Sequence, residues 1–335
     1  VGGINTPKIT DSSFNPNNSF TDYTPQVTLQ PRISFSFPIS DVADFYAHYD
    51  IYTQRPTSNS RADASVYYFL QQNANQIVNN PNLKSQKTFD YEVGFQQKLN
   101  DHSALTISAF YKERKDMITV VPYLYAYPST YYTYGNRDFS TTKGASVLYD
   151  LRATNHLRMN VSYTLQFAEG TGSTPGSTNR NGGGQISPNG LLQSFVEAGL
   201  PNLRYVTALD YDSRHTIAAN VDYRYGSGEG PMIAGRKVLE RAGVDFIARA
   251  RSGEPYTRYT DAQGNTVIGG VAGSRKAWHY GVDMRLDKDF ALRNMKKQAD
   301  APAGIKPKRP LFLKAIFQVN NLFNTRDVLD VYGYT

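Results

Sequence analysis

The chain has 335 residues, a formal net charge of +7 and no cysteine, so neither disulfides nor cysteine metal ligands hold it together. No run of about 18 apolar residues occurs, which excludes an ordinary transmembrane helix. The 36 basic residues are scattered among 29 carboxylates, which argues against a nucleic-acid partner.

The opening residues, VGGINTPKIT, lack the charged-then-apolar layout of a signal peptide, so the chain is expected to be either cytoplasmic or a piece of a longer precursor. Alternation of apolar and polar residues then predicts strands near 31–40 and 44–54, joined by a short turn at 40–43. A long connection near 55–87 leads to strands at 88–99 and 103–121 with a short turn at 99–103. The next connection, 122–131, belongs to the stretch YLYAYPSTYYTYGN, which puts six tyrosines at 123, 125, 127, 131, 132 and 134. Strands at 131–153 and 157–167 follow around a turn at 153–156.

The second of these shows the pattern best. Leu157, Met159, Val161, Tyr163, Leu165 and Phe167 fall on one face, and Arg158, Asn160, Ser162, Thr164 and Gln166 on the other. After a long connection at 168–214 come strands at 216–225 and 243–251, separated by 226–242. A long connection at 252–277 precedes a strand at 278–290; the connection 291–309 then leads to the last strand, 311–323. That makes ten strands and, apart from a short helix expected at 191–200 (LLQSFVEAGL), no helix of note.

Short turns and long loops alternate, so one end of the sheet is short and the other long. That is the plan of an up-and-down membrane β-barrel with short turns on one side and long outer loops on the other. A two-layer sandwich also alternates, but its strands are usually about 5–6 residues, whereas a tilted membrane crossing needs about 9–11. The charge on the polar face is a second discriminator. Asp90, Glu92, Asp150, Arg152, Asp222, Arg224, Asp245, Arg249, Arg251, Asp283 and Arg285 suit a wet or plugged lumen, and their mixed signs suit contact with a polar plug rather than a charge-selective pore.

Two readings of the tyrosine stretch stand side by side. Tyr123, Tyr125, Tyr127, Tyr131, Tyr132 and Tyr134 form an aromatic girdle or rigid loop packing, or they stack against a ligand at the outer mouth. Counted on from Leu105, Tyr123, Tyr125 and Tyr127 share the lipid-facing parity of Ile107 and Ala109, with a break in register expected at Pro122 and Pro128. The densest polar motif, LDYDSRH, holds Asp210, Asp212, Arg214 and His215 where a strand leaves the long loop; it is expected to be a structural loop base in which Arg214 pairs with a carboxylate.

Other motifs carry less chemistry. His48, His102, His156, His215 and His279 stand far apart, without metal-ligand spacing, so no metal and no cofactor are expected. The stretch YGSGEGP lacks the lysine of a phosphate loop and reads as a flexible turn. GTGSTPGSTNRNGGG (170–184) reads as a mobile loop tip, and LRNMKKQADAPAGIKPKRP (292–310) as a solvated basic turn.

Beyond these patterns, NPNLKSQKTFDYEVGFQQKLNDHSALTISAFYKERKDMI (80–118) and FQVNNLFNTRDV (317–328) resemble barrel segments of TonB-dependent outer-membrane receptors. YAYPSTYYTYGNRDFSTTKG, YTLQFAEGTGS, LDYDSRH and SGEPYTR resemble more narrowly the Oar-like branch common in Bacteroidetes. The resemblance implies a 22-stranded plugged barrel in the outer membrane of a Gram-negative bacterium, with outer-membrane lipid, its own plug domain and the TonB energy-coupling complex as partners. The implied substrate is a peptide, glycan or other bulky nutrient, and other surface proteins are further partners. Neither plug, TonB box nor terminal aromatic strand is recognisable here, so residues 1–335 are expected to be a partial barrel from late in a longer receptor. The alternatives are a passive barrel or a surface adhesin or assembly component without energy coupling, and a barrel hydrolase centred on Asp212; the non-enzymatic receptor is preferred.

Overall fold

The structure is a computed structural model, and it describes residues 25–56, 77–123, 131–174, 206–258, 272–293, 311–329 and 331. Among them every regular element is a strand: β1 (Arg32–Ser40), β2 (Ala43–Gln54), β3 (Ile77–Val78), β4 (Gln86–Asn100), β5 (Ser103–Tyr123), β6 (Tyr131–Thr154) and β7 (Leu157–Gly170). The chain continues through β8 (Thr207–Ala208), β9 (His215–Arg224), β10 (Ala242–Arg251), β11 (Pro255–Tyr256), β12 (Ser274–Arg275), β13 (His279–Arg293) and β14 (Leu311–Val319). Ten of these form one antiparallel sheet in the order β1-β2-β4-β5-β6-β7-β9-β10-β13-β14, as the alternation predicts. The four two-residue strands lie in the long connections: β3 pairs with β6 in parallel, β8 with β7, and β11 with β12 as a separate ribbon. Two-residue pairings leave no periodic trace, so the sequence pattern does not reveal them.

Register turns alternation within each strand into two chemically distinct faces. One row runs Phe37, Phe45, Phe95, Ile107, Val147, Tyr163, Ile217, Ala250, Tyr280, each directly opposite the next across nine strands. The row one residue over runs Ser36, Tyr46, Gly94, Ser108, Ser146, Thr164, Thr216, Arg251, His279. A slip of one residue at any interface would exchange the two faces from that strand onward, so the match at every step is itself the specification of the sheet. The apolar face is uncovered by any described residue: Phe35 is 57% exposed and Tyr280 60%. Aromatic rings gather toward the long-loop end of this face, where Tyr49, Tyr91 and Tyr111 are register partners with ring centroids 5.0 and 6.2 Å apart.

The turns at the short end are set by local chemistry. Asn155 and His156 both have positive φ (46° and 73°), which gives a two-residue turn whose twist matches the strands it joins. At the opposite side of the sheet the predicted strand 311–323 stops at Val319. The reason is Asn321, whose φ is 54° and whose carboxamide oxygen accepts from both the Thr325 N–H and its hydroxyl at 2.8 Å. Its amide Nδ2 donates to the Thr325 carbonyl at 2.9 Å, so the NLFN segment closes on itself instead of extending the ladder. Among the described residues β1 and β14 each pair on one side only.

The buried apolar side chains do not lie along the sheet but mostly beyond its long-loop end. Val78, Leu83, Met117, Ile118, Val120 and Val121 are all buried there, with Ala168 and Leu209 under the next long connection. β5 and β6, at 21 and 24 residues, exceed the about 9–11 residues of a tilted crossing by roughly ten, and this surplus carries the small core. The positions 191–200 and most of 170–184 and of 292–310 lie outside the described residues.

Candidate functional site

The projecting β5–β6 hairpin is where the tyrosines stand. Tyr123 pairs with Tyr131 in the ladder, Tyr131, Tyr132 and Tyr134 are half-buried, and Tyr125 and Tyr127 lie outside the described residues. The parity counted from Ile107 does not reach Tyr123 unbroken, and the break comes earlier than the prolines suggest. Asp116 has a φ of 56°, and the register shifts between Arg114 and Met117 and again between Met117 and Ile118. Pro122, by contrast, keeps its place opposite Tyr132.

A segment the sequence singles out only by resemblance holds the hairpin upright. In the NPNLK stretch, Leu83 is buried, Asn80 Nδ2 donates to the Tyr134 carbonyl at 2.9 Å, and the Thr133 hydroxyl donates to the Val78 carbonyl at 2.7 Å. Asn136 closes the contact from the hairpin side. Its oxygen accepts from Lys84 N–H at 2.7 Å while its Nδ2 donates to the carbonyls of Lys84 (2.9 Å) and Asp116 (2.7 Å), so one amide ties the clamp to the bulge. Gln26 adds a second tie, donating to the Leu83 carbonyl at 2.9 Å and accepting from Ser85 N–H at 3.2 Å. Asn136 and Asn80 carry no pattern that alternation would flag.

The LDYDSRH motif sits at the root of the next long connection. Asp212 is 1% exposed; it accepts from the Ala168 N–H at 2.8 Å and is paired closely with the Arg275 guanidinium, which also donates to the Asp212 carbonyl at 2.6 Å. Arg214 holds a looser place, its Nε 3.7 Å from the Asp212 carboxylate and its guanidinium 5.2 Å above the Phe167 ring. Asp210 donates its N–H to the Ser173 hydroxyl at 3.0 Å. His215 points to the apolar face, bonds the Tyr163 hydroxyl through Nδ1 at 2.9 Å, and stacks between Tyr163 and Trp278 at 6.1 and 5.7 Å. The motif is therefore split: Asp212 and Arg214 adjoin each other, whereas His215 joins an aromatic group at the rim. Arg275, 63 residues on, is the partner that local reading misses. It reaches Asp212 because β11 and β12 pair beside it, and that ribbon is tight enough that a Cβ on Gly253 would lie 1.8 Å from the Lys276 carbonyl oxygen.

The polar face is organised as pairs spanning strands. Lys112 bonds Asp90 at 2.7 Å, Tyr46 lies over Gly94 and donates to Glu92 at 3.1 Å, and Ser108 meets Ser146 at 2.8 Å. The strongest arrangement is at the short-turn end. Arg224 on β9 donates twice to Asp287 on β13, both at 2.7 Å, reaching over Gly243 of β10, the residue opposite each of them. Lys314 on β14 adds a 3.2 Å contact to the same carboxylate. One buried carboxylate, 2% exposed in its side chain, thus ties together β9, β13 and β14 across the intervening β10. Among the described residues, Asp90, Asp222 and Asp245 each retain a buried carboxylate oxygen without a hydrogen bond, and no group of three His, Asp or Glu side chains is placed to hold a metal ion.

Solved structures share this architecture. The ferripyoverdine receptor of the outer membrane of Pseudomonas aeruginosa superposes with a TM-score of 0.52 at 13% identity, over 91% of this chain and 30% of that one. The outer membrane transporter YddB from Escherichia coli gives 0.51 at 12% identity, over 88% and 36%. The ferric-catecholate import receptor Fiu from E. coli K12 gives 0.50 at 15% identity, over 90% and 32%. At these identities the likeness concerns the fold, and the chain spans about a third of the length of each. No curated protein sequence matches the chain. The family model for the TonB dependent receptor-like β-barrel matches residues 2–322, and with the ten-stranded antiparallel sheet this shows that the chain belongs to that family.

Proposed function

We propose that the chain forms part of the wall of an outer-membrane receptor of a Gram-negative bacterium, which binds a bulky substrate at its outer loops and imports it with energy supplied through TonB. The observation that carries this reading is the register-matched pair of faces: one apolar and uncovered across nine strands, the other lined by cross-strand ion pairs. In hydrocarbon the first face is favourable and the second must meet water or protein. The mixed charges of that face, Asp90, Asp222, Arg224, Asp245 and Arg285 among them, suit a polar plug as the protein that meets it. Family members reside in the outer membrane and act as transporters and receptors rather than enzymes, and the Oar-like motif strings quoted above favour that branch for this chain.

At the outer end, the tyrosine hairpin and its NPNLK clamp are the proposed substrate contact: Tyr131, Tyr132 and Tyr134 stand on a hydrogen-bonded support, and Tyr123, Tyr125 and Tyr127 are proposed to join them. Asp210, Asp212, Arg214 and His215 form the proposed base of the neighbouring loop. A peptide, glycan or comparable nutrient suits rings that provide area at low entropic cost.

The test starts with the full-length protein purified from its native membrane in detergent, with co-purifying molecules identified by mass spectrometry. The molecule found should bind Tyr132→Ala and Tyr134→Ala variants about tenfold more weakly, the ~1–1.5 kcal/mol of one aromatic contact. Unchanged affinity in both removes the tyrosines from the site. Uptake that persists when the inner-membrane energy source is collapsed replaces the coupled receptor by a passive barrel, and a protein that is monomeric in water without detergent overturns the membrane reading.

A further inference from the structure

The connection between β9 and β10, at the short-turn end, is a folded element that turns its apolar side chains outward. Its tip is a two-residue turn in which Ile233 and Arg236 exchange N–H···O bonds of 2.9 and 3.0 Å, with Ala234 and Gly235 at φ 48° and 73°. Its root is tied by the Glu240 carboxylate, which accepts from Gly228 N–H at 2.8 Å and from the Ser227 hydroxyl at 3.3 Å. Arg241 donates to that same hydroxyl at 2.7 Å, and the Lys237 ammonium bonds the Gly228 carbonyl. Glycine is required at 228 and 230, where φ is 77° and 99°. YGSGEGP thus forms the root of a hydrogen-bonded loop, on which Met232 is 69% exposed, with Ile233, Val238 and Leu239 exposed beside it.

Three side chains fix the side of the sheet on which this surface lies, and all three belong to the apolar face or its lower edge. Lys288, which follows Leu286 and precedes Phe290 on that face, donates to the carbonyls of Val238 (2.7 Å) and Glu240. Tyr225 continues the parity of Tyr223 and lies against Gly230, where an added Cβ would be 3.4 Å from the ring. His156, in the turn below, has ring contacts of 6.0 and 5.0 Å to Tyr223 and Tyr225, and its Nδ1 lies 3.2 Å from the Glu229 carboxylate. The loop's apolar residues thus extend the uncovered apolar face past its short-turn end. Its two carboxylates are engaged internally, which leaves exposed Arg236 at the tip as the outward charge.

We propose that residues 226–241 are an interfacial anchor, seating Met232, Ile233, Val238 and Leu239 at the acyl boundary of the leaflet nearest the short turns while Arg236 meets phospholipid phosphates. The proposal rests on the lipid-facing reading of the apolar face. Its geometry is that of other interfacial elements, which sink apolar residues about 5–10 Å below the headgroups and keep basic residues at the surface. A protein partner is the competing occupant, but continuity with the apolar face favours lipid.

This chain contributes no cysteine, so single reporters are placed in a full-length background whose other cysteines, where present, are replaced by serine. Met232→Cys and Ala219→Cys, the latter midway along the apolar face, are introduced into the full-length protein, labelled with an environment-sensitive fluorophore and reconstituted in phosphatidylethanolamine–phosphatidylglycerol vesicles carrying a headgroup nitroxide lipid or an acyl-chain nitroxide lipid. The expected result is quenching at 232 by about half with the headgroup nitroxide, a depth set by the interfacial geometry, and quenching at 219 by the acyl-chain nitroxide. Lipid quenching at 219 with aqueous iodide alone quenching 232 overturns the anchor and leaves the barrel reading standing. A 232 probe shielded from lipid and iodide alike also overturns it, in favour of a protein partner. Absence of lipid quenching at 219 overturns the underlying reading, and the anchor with it.

Discussion

Gly243 offers the sharpest test of the idea that the polar face is held by pairs reaching over an intervening strand. Glycine inside a strand is ordinarily a liability, and replacing it by alanine should stabilise by about 0.5–1 kcal/mol through the unfolded chain. Here a Cβ would lie 2.7 Å from Arg224 Cζ, so the guanidinium must lift away and both of its 2.7 Å bonds to Asp287 are lost. Hydrogen bonds to a charged group contribute roughly 1.5–3 kcal/mol, and Arg224's partial exposure and the remaining Lys314 contact put the loss near the lower figure, about 2 kcal/mol. Gly243→Ala should therefore be destabilising by about 1 kcal/mol net, against a stabilisation of similar size were the pin absent. The assay is reversible urea unfolding of the full-length protein in lipid vesicles, run for Gly243→Ala, Asp287→Asn and the double variant. In the Asp287→Asn background the alanine should be neutral or stabilising, because no strong bond is left to break. A stabilised single variant, or strictly additive effects, would refute the reasoning.

Three further outcomes follow from the loops. Asp212→Ala leaves Arg275 partly buried and unpaired and removes the acceptor for Ala168 N–H, so it should cost about 3 kcal/mol and make the connection after β7 sensitive to limited proteolysis; unchanged cleavage would dismiss Asp212 as the root. Gly253→Ala meets a backbone carbonyl that no rotamer change can move, so protection of the Lys276 amide, which donates to the Glu254 carbonyl at 3.0 Å, should disappear in hydrogen exchange; retained protection would contradict the close approach. The Glu240 carboxyl is held below its usual value of 4.5 chiefly by the Gly228 N–H. A depressed acid contributes stability that is present above that unfolded value and lost as pH falls through the lower folded one, so protection of the Gly228 amide, corrected for intrinsic exchange, should decline only below about pH 4.5. Glu240→Gln should lack that acid limb; an identical pH profile in the variant would show that the carboxylate does not hold the turn.

Particular residues show how far the sequence carried. Val161 and Asn160 lie on opposite faces by alternation alone, and that period of two fixed strand identity, ten-strand count and the chemistry of each face. The turn at Asn155 was legible because a short polar break between two alternating runs marks it, whereas the clamp stood out only as the start of a string recognised by resemblance. What alternation leaves open is partnership: Arg224 and Asp287 are 63 residues apart, as are Asp212 and Arg275, and nothing near either arginine names its acceptor. Side-chain parity is a local property, written in φ and ψ one residue at a time, so the chain by itself determined which side chains share a face. Register and bulges are collective properties, set when whole strands compete for one alignment. Only that alignment decided that Asp116 breaks the outer hairpin, that Gly243 leaves room for a guanidinium, and that the 226–241 loop comes to rest on the apolar side.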